Sequence, residues 1–310
     1  MGRSNTAVLA EAAEAALDRS VAGITRCAGG DINRAFRLEL ESGDLAFLKC
    51  RAGASVDEFV DEAAGLAWLA EPGAIPVPRV LALVESEACP GLILEWMEAG
   101  RGLSGSGEQE LGRGLAEIHL SGADFHGQRP PGTSGGGIRL GEALLVGPRD
   151  ERVEHPEGRP ELSFAELYAT RIEALAGQAV TAGGLDRHGA AVISLLAEQI
   201  DRFAGPPVPP ARLHGDLWSG NVLADRSGRP WLIDPAPYGG HPEVDLAMLD
   251  LFGSLSPEFM GGYEEVLPLP EGAQERRQLW QVQPLLVHAV LFGGQYGAAA
   301  MGAAGQYTGG

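Results

Sequence analysis

One segment restricts this chain more than any other: Leu213-His214-Gly215-Asp216-Leu217-Trp218-Ser219-Gly220-Asn221, closed by Trp231-Leu232-Ile233-Asp234. Pro206, Pro207, Pro209 and Pro210 stop the preceding helix, because proline lacks a donor and blocks the turn before it. Val222-Leu223-Ala224 then begins a short apolar strand, Asp225-Arg226-Ser227-Gly228 supplies a turn, and Trp231-Leu232-Ile233 forms a second strand ending at Asp234. A hairpin of this kind returns Asn221 and Asp234 to the side of Asp216. One carboxylate can then take a proton from an attacking hydroxyl, while an amide oxygen and a second carboxylate hold a metal on phosphates. That is the set phosphoryl transfer from a magnesium-bound nucleotide requires. A bare His-Gly-Asp would be an ordinary turn; Asn221 five residues on and Asp234 at the next strand end favour a kinase-like catalytic loop.

A second feature is independent of the first. Of the 23 lysine and arginine residues, 22 are arginine and one, Lys49, is lysine. An ammonium is a compact point charge that fits between two phosphates and a carboxylate, where a guanidinium fork is too broad. Lys49 ends the apparent strand Leu45-Ala46-Phe47-Leu48, and Asp57 to Ala70 follows as an amphipathic helix carrying Glu62. Glu62 is therefore the expected ion-pair partner of Lys49.

With 310 residues and 45% apolar content, the chain is long enough for two lobes. No apolar run approaches the roughly 20 residues of a membrane span. Glu11, Glu14 and Asp18 interrupt the Ala-rich start, so residues 6–21 read as a helix and not as a signal peptide. A cytoplasmic location is expected. Cys27, Cys50 and Cys89 lack CxxC spacing, which argues for free thiols and against a disulfide framework or zinc site. A net charge of -19 makes nucleic acid an unsuitable partner.

Residues 1–97 read as a small β-rich lobe and 98–310 as a larger, mainly helical one. Strands are expected at Ile24 to Cys27, Ala35 to Leu40 and up to Lys49. The loop between the first two, with Gly29, Gly30 and Asn33, is the candidate phosphate cover, since glycine lets backbone approach closely. Val80 to Val84 and Leu92 to Glu95 suggest two more strands, with a hinge after them where adenine would bond backbone near Glu95 and Met97. Further helices are expected at Gly112 to Leu120 and at about 161–177, 186–203, 243–252 and 272–292. His119 reads as a packed or capping residue. Residues 121–160 show no clear period, and 297–310, poor in bulky apolar groups, are expected to form a loose tail.

Taken with LIDPAPYGGHPEVDLAMLDLFG at 232–253, LHGDLWSGN strongly resembles the fructosamine kinase (ketosamine-3-kinase) family, within the aminoglycoside-phosphotransferase-like kinases. GGDINRAFRL, FLK, FVDEAAGLAWL, LILEWM, LGRGLAEIH and QPLLVHAVLFGGQYG extend the resemblance over most of the chain. The resemblance implies an α+β, two-lobed protein-kinase-like fold, with one main helix beside a small antiparallel sheet. It also implies ATP- and Mg2+-dependent phosphorylation of the 3-hydroxyl of a small-molecule ketosamine. By the same resemblance Asp216 is the base, Asn221 and Asp234 are magnesium ligands, Lys49 and Glu62 position phosphates, and Asp245 is a buried residue that braces the catalytic loop. Trp218 offers a flat face to the acceptor, and His241 could bond it, although a loop histidine is more often structural.

Residues 121–160 depart from the family, carrying FHGQRPPGTSGGGIR in place of a segment bearing Pro-Gln and Asn-Trp. That leaves a related kinase of aminoglycosides, amino sugars or other small alcohols as an alternative. A silent nucleotide-binding protein is disfavoured by the presence of Lys49, Asp216, Asn221 and Asp234 together. Monomer and homodimer remain open.

Overall fold

In the computed structural model residues 5–27, 33–86, 89–134, 137–147, 162–253 and 255–309 are described. Helix α1 (Asn5–Leu17) precedes strands β1 (Val21–Arg26), β2 (Arg34–Leu40) and β3 (Leu45–Cys50), then helix α2 (Val56–Ala70) and strands β4 (Val80–Val84) and β5 (Gly91–Glu95). The strands form one antiparallel sheet in the order β1-β2-β3-β5-β4. Alternation drives it: in β2 Phe36, Leu38 and Leu40 point into a core shared with Leu9 of α1 and with Leu48 and Ile93 of the neighbouring strands. Ser55 starts α2 with a reciprocal cap to Glu58. Phe59, Leu66 and Leu69 of α2 then pack with Leu92 and Leu94 of β5.

The chain leaves the sheet at Glu95 and is fastened where it crosses. Gly100 N–H donates to the Ala224 carbonyl at 2.7 Å, and Ala99 bridges Asp225. Helix α3 (Gly105–Leu120) follows, then a two-stranded ribbon of β6 (Ile138–Leu140) and β7 (Ala143–Leu145) inside the aperiodic stretch, and helices α4 (Phe164–Thr181) and α5 (Arg187–Glu198). Strand β8 (Ala211–Leu213) leads into the hairpin of β9 (Val222–Ala224) and β10 (Pro230–Leu232), and β11 (Tyr238–Gly240) returns to pair with β8. Four helices complete the larger lobe: α6 (Glu243–Leu251), α7 (Pro257–Val266), α8 (Arg277–Phe292) and α9 (Gly294–Thr308). Its core centres on Trp280 and Tyr168, whose rings meet edge to face at 4.9 Å. Among the described residues no helix is long and apolar enough to cross a membrane.

The expected loose tail at 297–310 is corrected: residues through Thr308 are helical. Small side chains do here what bulk does elsewhere, because they let backbones come close. A Cβ on Gly297 would collide with the Gly184 carbonyl, while Ala300, Ala303 and Ala304 are buried. The Tyr307 hydroxyl ties the helix down, accepting from Leu279 N–H at 3.1 Å and donating to the Glu275 carbonyl at 2.6 Å. Helix α3 also begins seven residues before the expected Gly112, and α7 was not anticipated. Each supports the other through glycine: a Cβ at Gly112 would strike the Phe259 carbonyl and one at Gly262 the Gln109 carbonyl.

Candidate active site

Asp216 lies in the loop after β8, and that loop is held from behind. Asp245, in the first turn of α6 and 1% exposed, accepts from His214 N–H at 2.6 Å, Gly215 N–H at 3.0 Å and His119 Nε2 at 3.2 Å. The other ring nitrogen of His119, Nδ1, lies 2.7 Å from the Tyr263 hydroxyl. Gly215 has φ 82, and a Cβ there would collide with the Ala236 carbonyl, so glycine is required for this turn. Asp216 N–H donates to His214 Nδ1 at 3.3 Å, which leaves His214 Nε2–H to donate to the Ile233 carbonyl at 3.0 Å. One imidazole thus links the Asp216 loop to the strand end carrying Asp234. Burial lowers its pKa and keeps it neutral.

Asn221 closes the loop, its Nδ2 donating to the Asp216 carbonyl at 2.7 Å and to Asp216 Oδ2 at 3.1 Å. Ile233 N–H donates to the Asn221 carbonyl at 3.1 Å, which sets β10 against it. Burial pushes the Asp216 carboxyl up to about 6, with Asp234 and Asp245 adding to the effect against the Asn221 bond and Lys49. A carboxyl tuned towards neutrality suits a base.

Lys49 of β3 reaches Glu62 Oε2 of α2 at 2.9 Å and Asp234 Oδ1 at 3.0 Å, so the expected ion pair forms and a third partner joins it. Burial alone would lower the ammonium's pKa, but Glu62 and Asp234 outweigh it and hold it above the ordinary lysine range. Glu62 is raised by burial, partly offset by Lys49, and its Oε1 is buried without a partner. Asp234 has φ 51 and a side chain 43% exposed. A non-glycine residue held in the left-handed region is a strained position of the kind that collects at functional sites.

Three contacts fix α2 to the larger lobe. Asp61, next to Glu62, accepts from Arg129 at 2.6 Å and from Ser134 N–H at 2.7 Å. Gly65 sits so close to Pro237 that a Cβ would clash. At the helix end Arg212 donates to the Trp68 carbonyl at 2.5 Å, pairs with Glu71 at 2.8 Å and lies 4.5 Å over the Trp68 ring.

Of the other expected site residues, Gly29 and Gly30 lie outside the described residues. Asn33 is half-buried at the entrance to β2, its Oδ1 unpartnered. The Glu95 side chain is held by Arg79 at 2.8 Å and its N–H donates to the Arg79 carbonyl, while Met97, two residues on, is half-buried. Trp218 is 40% exposed, with Phe252 against it edge to face at 6.4 Å. His241 is not among the residues lining the cavity at Asp216. It is 3% exposed, stacked on Trp280 at 5.1 Å, and burial pushes it down to about 3. The sequence reading passed over several residues that the geometry brings in. His288 and Gln283 of α8 line a cavity at Asp216, otherwise walled mainly by Leu140, Val244, Met248 and Val287. A histidine and a glutamine in the otherwise apolar run 282–292 were the signal available.

The family model described as fructosamine kinase matches residues 4–130 and 163–307. A Synechocystis protein with a provisional ketoamine kinase name is 32% identical over 86% of this chain and 84% of its own length. An Enterococcus faecium protein of the same provisional name is 30% identical over 87% and 90%. A solved Thermobifida fusca structure, provisionally named a fructosamine-3-kinase, superposes with a TM-score of 0.81 at 32% identity, covering 96% of each chain.

Proposed function

Since the chain belongs to the fructosamine kinase family of ATP-using kinases, we propose that it moves the γ-phosphoryl group of ATP to the 3-hydroxyl of ketosamines, the fructosamine- or ribulosamine-type glycated amines. The observation carrying this reading is the meeting of Lys49 with Asp234, 185 residues away, beside an Asp216 whose carboxyl is pushed up to about 6. Residues 1–97 would form the nucleotide side and 98–310 the catalytic and acceptor side of a cytoplasmic enzyme.

In this reading Asp216 accepts the proton of the acceptor hydroxyl as that oxygen attacks. Asn221 fixes the Asp216 carboxylate, and Asp245 holds the loop so that the base does not drift. Lys49, oriented by Glu62, places a compact positive charge against the α- and β-phosphates, with Gly29, Gly30 and Asn33 covering them. Backbone near Glu95 and Met97 takes the adenine, and Trp218 flanks the acceptor. His241 is left out of this role by its burial.

Asn221 and Asp234 would hold the magnesium ion. Among the described residues no group of three or more His, Cys, Asp or Glu could hold a metal on its own, which fits an ion that shares few protein ligands with phosphate oxygens and water. The second oxygen of Asp234 accepts nothing among the described residues and the side chain is half-exposed, so a ligand position is open there. Bound at that position, the ion would neutralise charge developing between the β- and γ-phosphates.

ATP consumption across ribulosamines, fructosamines and aminoglycosides tests the proposal. Turnover of the ketosamines is expected; turnover of aminoglycosides alone would overturn it.

A further inference from the structure

Beside the cavity at Asp216 runs a connected strip of rings, of which the reaction as described uses Trp218 alone. His288 is its hub, 4.5 Å from Phe252, 5.5 Å from Phe292 and 5.1 Å from Tyr296 between ring centroids, and Phe252 continues to Trp218. The strip is built in place. Gly293, at φ 94 and ψ -157, bends the chain between α8 and α9 in a conformation open to glycine alone, so Phe292 and Tyr296 flank the same imidazole. His288 Nδ1–H donates to the Pro284 carbonyl at 2.8 Å, which fixes the ring. Phe292 is nevertheless 54% exposed and Trp218 40%, in a surface where single scattered apolar residues would be ordinary but a contiguous run at a site is not.

Resting on the ketosamine reading, we infer that this strip binds the substituent carried on the acceptor's nitrogen and selects amines with a flat aromatic or extended apolar body. A ketosamine nitrogen is a secondary ammonium near neutral pH, which ring faces attract. It also carries the one part of the acceptor without hydroxyls. With the 3-hydroxyl at Asp216, that substituent meets the strip at His288, the ring that lines the cavity.

The experiment compares the ribulosamines of benzylamine and methylamine with the parent enzyme and Phe292→Ala, by steady-state kinetics and by calorimetric binding. The parent is expected to favour the benzyl compound about tenfold in kcat/KM, through KM. In Phe292→Ala that preference should fall to within about twofold with kcat little changed, as expected for loss of uniform binding. A parent without preference, or a variant that keeps it, overturns the inference. Preferential binding of the benzyl compound without turnover, lost in the variant, would support the strip and overturn phosphoryl transfer to ketosamines. Absence of both binding and turnover would overturn both.

Discussion

Asp245 and Asp216 lie on opposite sides of one loop and have been treated in opposite ways. Behind the loop, Asp245 receives two backbone N–H groups and His119. Burial would raise its pKa, but the His119 bond and neighbouring charges hold it below the usual carboxylate range. In front, Asp216 is raised to about 6, Glu62 is raised with Oε1 unpartnered, and Asp234 stands half-exposed on a strained backbone. A carboxylate whose every bond is made stabilises the fold. Carboxylates with bonding capacity left over weaken the fold and are available to a ligand.

Replacing each side in turn should separate the two. The largest effect is expected for Asp216→Asn, with turnover lower by about 10²- to 10⁴-fold and nucleotide binding nearly intact; turnover within a few-fold of the parent would remove Asp216 as base. Asp245→Ala should instead lower stability by about 3 to 5 kcal/mol, because it strands three buried donors. The urea midpoint measures this, and a loss below about 1 kcal/mol would mean the brace is dispensable. Lys49→Arg should lower turnover by about 10²-fold, close to Lys49→Met, since charge without compactness cannot serve Glu62, Asp234 and phosphate together. Normal activity in a folded arginine variant would make the single lysine incidental.

The smallest effect concerns pH. A carboxyl raised in the folded state stabilises the fold below its unfolded value, near 3.8, and loses that contribution as pH rises through about 6. Asp216→Asn should therefore melt above the parent at pH 8, with the gap closing by pH 4. Parent turnover should fall as pH drops below about 6. A variant melting below the parent at pH 8 would show that the charge at Asp216 is not held against the fold.

Residues whose neighbours lie close in sequence were the legible ones. Val80 to Val84 matches its strand, and the hairpin joining Asn221 to Asp234 forms as its turn residues suggested. Lys49 and Glu62 could be paired because strand and helix each showed their period. Helix α9 could not be read, because Gly297 and its alanines are buried by the approach of another backbone and not by their own bulk. Helix α7 and the first two turns of α3 escaped for the same reason, at Gly262 and Gly112. His119 was read as packed, which it is, yet its bond to Asp245 joins residues 126 apart and leaves no local pattern.

The three fastenings of α2, at Asp61, at Gly65 and at Arg212, have a mechanical consequence. A helix bolted at three points to the larger body holds its own carboxylate in register with that body, so Glu62 and Asp234 form one anionic jaw. Lys49 reaches that jaw from the sheet and bonds both carboxylates. One side chain thereby indexes the sheet to the larger body: the lysine is a locating pin seated between two anions.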